Sequence, residues 1–140
     1  MPTAIPYDDL QSAFNFVSAA APYERNAYIA KETGEVFHAA QIYDAYKRIP
    51  PDVDDVERYW SVPHRQDLDL GSRLELKFVQ EHIPAQFAVA EDFFHRRGAH
   101  AKFHDMVAKA GKEAQWRQYE HDATEQALRK WANDEGLALA

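Results

Sequence analysis

From Asp67 to the end of the chain, apolar residues recur at helical spacing, and the run is punctuated by Pro84, Gly98, Gly111 and Gly136. This feature restricts the second half to a row of packed helices. Leu70, Leu74 and Phe78 form one stripe, flanked by Leu68, Val79 and Ile83. Asp69 or Ser72 is expected to cap its start. Pro84 stops that helix and suits the first turn of the next. The next helix carries Phe87, Ala90, Phe93 and Phe94 and ends at Gly98. A third, from Ala99 to about Ala110, turns Phe103, Met106 and Val107 inward. Glu113 to Glu135 reads as one long helix, or two with a bend near His121, with Trp116, Tyr119, Ala123, Ala127 and Trp131 on one face. The closing "LALA" reads as a short extended tail.

The first half is patterned differently. Tyr7 to Ala21 places Leu10, Ala13, Phe14 and Val17 on one helical face, and Pro22 ends it. Two β-prone runs then flank Lys31 to Gly34, and the glycine supplies the positive φ that a hairpin turn needs. Gln41 to Glu57 contains "IPPDVDDVE", whose prolines and acidic run read as a solvated loop. Arg58 to Pro63 is a third strand, ended by proline. Strands early and helices late predict an α+β fold: an N-terminal helix, an antiparallel sheet of about three strands, and a mainly α-helical C-terminal half. Residues 1–140 suit a single domain, with the acidic, proline-rich loop near 50–57 separating a β-containing half from a helical half.

Composition narrows the chemistry. The chain has no cysteine, which excludes disulfide frameworks, thiolate zinc sites and cysteine nucleophiles. Its net charge of −7 disfavours phosphate backbones, so nucleic acid is not an expected partner. The opening "MPTAIPYDDLQSAF" has neither a basic n-region nor an apolar stretch. No apolar run approaches the roughly 20 residues that span a bilayer. The expectation is a cytoplasmic protein with no membrane partner.

Four stretches carry a family resemblance: "YIAKETGEVF", "DVDDVERYWSVP", "RRGAHAKFHDMV" and "WRQYEHDATEQALRKWANDEGLAL". Their order and spacing resemble the uncharacterised bacterial protein family numbered 0158 in the UPF series, over Asn26 to Leu139. The resemblance implies a coherent fold and a bacterial cytoplasmic setting. It brings no activity, cofactor or catalytic residue. This chain departs from it at His100, where an aromatic is expected, and at His104, where lysine or arginine is expected.

The segment "HRRGAHAKFH" concentrates the remaining chemistry. His100 and His104 stand at i, i+4, a spacing that can bring two imidazoles to one zinc. A third ligand from Glu91, His95 or Asp105 has no diagnostic offset, and the glutamate of a His-Glu-x-x-His motif is absent. The same segment reads as an anion site, with Arg96, Arg97, Gly98, Ala99 and Lys102 around a helix start. An ion pair between these arginines and Asp52, Asp54 and Asp55 is the structural alternative. None of the four serines sits in a nucleophile elbow, and no phosphate-binding loop is present. Glu91–Asp92 and Asp54–Asp55 are adjacent pairs, and neighbours on a helix face different ways.

The sequence therefore predicts no catalytic residue, no cofactor and no metal. It predicts a non-enzymatic interaction or regulatory module with a protein partner. A metal-assisted or acid/base hydrolase using His100 and His104 is the first alternative. An anion- or nucleic-acid-associated protein using Arg96, Arg97 and Lys102 is the second. "HRRGAHAKFH" is expected to be a helix–turn–helix corner with Phe94 and Phe103 buried on either side of Gly98.

Overall fold

A computed structural model of the chain describes residues 4–22, 24–40 and 49–140. The fold is α+β, with an N-terminal helix, a three-stranded antiparallel sheet and a helical C-terminal half. Backbone contacts group the chain into two compact units. One holds Met1–Leu68 with Glu125–Ala140, and the other holds Asp69–Thr124. The division thus falls between Leu68 and Asp69, beyond the acidic loop, and the end of the chain returns to the first unit. The described part of that loop, from Ile49, is a series of turns; the reading of 41–48 as loop lies outside the described residues.

In the first unit, strand β1 (Ala4–Ile5) precedes helix α1 (Tyr7–Ser18). The helix forms on its amphipathic pattern, and Leu10, Ala13, Phe14 and Val17 are buried as that pattern requires. It ends at Ser18, a turn earlier than Pro22 demands. Strands β2 (Arg25–Ala30) and β3 (Val36–Ala40) form the hairpin. Gly34 turns it at φ 77°, and its N–H donates to the Ala30 carbonyl over 2.7 Å. Strand β4 (Tyr59–Ser61) pairs with β2, so the order is β3-β2-β4. Central β2 turns Ala27 and Ile29, both fully buried, to one face, and α1 packs against this strand.

The second unit contains α2 (Ser72–His82), a 3-10 turn at Pro84–Gln86, α3 (Phe87–Phe93), α4 (Ala99–Lys109) and the first half of α5 (Glu113–Glu135). Gly71 rather than Asp69 or Ser72 occupies the start of α2, with no side-chain cap. Asp69 takes a left-handed conformation instead, at φ 55°. Phe78, Phe103 and Trp116 make an aromatic core, with Phe103 4.8 Å and Phe78 5.3 Å from Trp116 between ring centroids. Edge-to-face rings at this spacing are favoured by their quadrupoles. Gly98 turns the chain between α3 and α4 at φ 78°. Phe103 is fully buried beyond it, but Phe94 is half-buried and packs on Phe93 and Phe103.

Helix α5 is one uninterrupted helix, without a bend at His121. Its buried residues are Trp116, Leu128 and Ala132, whereas Ala127 and Trp131 are half-buried. The stripe expected from sequence holds for the half in the second unit and moves by one residue in the half belonging to the first. Gly136 ends the helix at φ 78°. The tail then forms β5 (Ala138–Leu139), which pairs in parallel with β1.

Candidate functional site

Helix spacing stacks His100 and His104 one turn apart on the same side of α4. Their rings lie edge to face with centroids 4.3 Å apart, and the two Nε2 atoms approach to 3.0 Å. The other ring nitrogen of His100 points to α2. Its Nδ1 stands 3.0 Å from Glu75 Oε2 and 3.3 Å from Oε1. One ligand atom from each of Glu75, His100 and His104 falls within 4.8 Å of the others. All three residues belong to the second unit.

Burial is unequal across the cluster. The Glu75 side chain is 4% exposed and that of His100 is 62% exposed. A carboxylate taken from water needs strong partners, because the cost of unpaired burial is large. His100 supplies one of them. The arrangement is a buried carboxylate followed by two exposed imidazoles.

Glu75 is the member that reading the sequence missed. Glu91 and Asp105, considered as third ligands, do not belong to the cluster, and nor does exposed His95. A signal was present. Leu74, Phe78 and Val79 are the buried residues of α2, and Glu75 lies one turn before Val79, on the side they define. A charged residue inside an apolar stripe marks a position with a specific partner.

The charged members of the proposed anion group have different surroundings. Arg96 is held by Asp92 of α3 at 3.3 Å, and Arg97 is exposed. Ala99 opens α4 after Gly98. Lys102 lines a cleft of about 550 Å³ between α3 and α4, with Val89, Phe93 and Met106 on its walls. Within the acidic loop of the first unit, ion pairs are local. Asp52 accepts a hydrogen bond from Arg58 at 2.9 Å and from the Tyr59 hydroxyl at 3.1 Å. The Arg58 bond holds the Asp52 carboxyl below its usual range.

No known family, curated protein or solved structure matches the chain. The likeness to the uncharacterised family therefore rests on the quoted residues alone. Among the described residues, no helix is long and apolar enough to cross a membrane.

Proposed function

We propose that the chain is a small non-enzymatic module whose helical unit binds a divalent transition-metal ion at His100 and His104, beside Glu75. One observation carries this reading: two imidazole nitrogens face each other at 3.0 Å while a buried carboxylate engages the first ring from behind. Two histidines on a tetrahedral zinc, at the usual Zn–N lengths, stand about 3.3 Å apart. The pair would have to open by about 0.3 Å to hold the ion. Imidazole donors suit zinc, nickel, copper and cobalt rather than magnesium or calcium. The net charge of −7 also favours cations over anions around the chain.

The non-enzymatic part rests on the same geometry. The cluster contains one carboxylate, and His100 engages it. The cluster therefore offers no further carboxylate as a general base beside a bound ion. A bacterial cytoplasmic setting and a protein partner belong to the same proposal, the first through the family resemblance.

Calorimetric titration of the untagged, chelator-treated protein with zinc tests the reading. One ion per chain is expected, with affinity falling at least tenfold in both His100→Ala and His104→Ala. Absence of saturable binding, or binding unchanged in His104→Ala, overturns it.

A further inference from the structure

The two histidines are not equivalent. Resting on the metal reading above, we infer that Glu75 is a positioning residue rather than a ligand: it holds the proton of His100 on Nδ1, so His104 alone has to change tautomer when an ion arrives.

The argument follows from hydrogen-bond accounting. An ionised carboxylate only accepts hydrogen bonds. Both oxygens of Glu75 face His100 Nδ1, at 3.0 and 3.3 Å, so that nitrogen carries the hydrogen. In a neutral imidazole the opposite nitrogen then presents a lone pair. His100 Nε2 is therefore an acceptor, aimed outward along α4. The atom that meets it, 3.0 Å away, is His104 Nε2. Two lone pairs facing each other at this distance would repel, so His104 donates from Nε2. Without metal, the cluster is a directed chain: His104 Nε2–H to His100 Nε2, and His100 Nδ1–H to Glu75.

Metal capture changes the two rings differently. His100 already offers Nε2 and keeps its bond to Glu75. This is the arrangement in which a carboxylate behind a ligating histidine orients the ring and raises its basicity. His104 has its hydrogen on the nitrogen that must bind. That hydrogen has to move to Nδ1 before Nε2 can ligate. Glu75 stays behind His100, and the protein supplies two nitrogens. Exposed His100 and His104 leave the other coordination positions open to solvent or to an external donor.

Long-range proton–nitrogen NMR of the uniformly labelled full chain, recorded without metal and then with zinc, tests this. The metal-free spectrum should show His100 protonated on Nδ1 and His104 protonated on Nε2. With zinc, both Nε2 signals should shift as ligands, His100 Nδ1–H should persist, and the His104 hydrogen should appear on Nδ1. Glu75→Gln should weaken zinc binding by about tenfold or more, the range seen when such carboxylates are removed. Finding His100 protonated on Nε2 without metal overturns the inference, because the carboxyl would then be donating rather than accepting. Zinc on His100 Nδ1, which would make Glu75 a ligand, also overturns it, as does undiminished affinity in Glu75→Gln. If zinc shifts neither ring, the metal reading fails, and the metal-free spectrum still decides the tautomers by itself.

Discussion

The indole N–H of Trp60, on β4, donates to the backbone carbonyl of Glu135 at the end of α5 over 3.1 Å. The last carbonyls of a helix lack intrahelical donors, so this side chain satisfies one of them. Trp60→Phe keeps most of the apolar surface and removes the donor. A loss of about 0.5–1.5 kcal/mol is expected, the usual net value of one hydrogen bond. Urea denaturation of the two proteins measures it. No loss would mean that solvent satisfies the carbonyl equally well.

Removing side chains from α4 should give a graded series in metal-free buffer. Phe103 is fully buried against Trp116, so Phe103→Ala should cost about 3–5 kcal/mol. His104 is exposed, and His104→Ala should cost about 0.5 kcal/mol or less. The sequence alone puts His100 with His104. The structure separates them, because His100→Ala withdraws a partner from buried Glu75 and should cost about 1–3 kcal/mol. Thermal or urea unfolding orders the three. A His100→Ala protein as stable as His104→Ala would mean that Glu75 is held adequately by its other contacts.

Gly34 turns the β2–β3 hairpin at φ 77°. A β-branched side chain is strained there, and Gly34→Val should destabilise the chain by about 1 kcal/mol or more. Gly34→Asn should cost less, since asparagine enters the left-handed region more readily. Equal stability of the two variants would show that the turn relaxes out of this conformation.

What the sequence discloses depends on how local the cause is. The hairpin around Gly34, the breaks at Pro84, Gly98 and Gly111, and the buried faces of α1 and α2 follow from periodicity and from backbone preferences of single residues. The partnership of Ala4–Ile5 with Ala138–Leu139 does not. Two-residue strands carry no alternation, and their pairing depends on the path of everything between them. The stripe on α5 is legible only in part because its two halves serve different units, each with its own buried side. In the candidate site, the i, i+4 spacing of His100 and His104 is visible in the sequence. Glu75 is 25 residues away from His100. Its position within the buried side of α2 marks it as partnered but does not name the partner, which the packing of α4 decides.

Tyr119 gives the last prediction, and it concerns pH. Its ring lies 5.2 Å from that of Phe78, while burial and a hydrogen bond from its hydroxyl to Glu81 push its pKa up to about 12. In the unfolded chain the phenol titrates near its ordinary value of about 10. The folded pKa is the higher one, so the contribution is fully present below about pH 10 and is lost as pH rises to about 12, where the folded phenol also ionises. Over that window the unfolded chain releases its proton first, which draws the equilibrium toward unfolding. Tyr119→Phe keeps the ring on Phe78 and lacks the titrating group. Other alkaline effects act on both proteins and cancel in the comparison. The stability difference between wild type and Tyr119→Phe, followed by urea midpoints from pH 9 to 12, should therefore shift against wild type as pH rises. A difference that stays constant across the window would show that the fold does not raise the phenol's pKa, by burial or by Glu81.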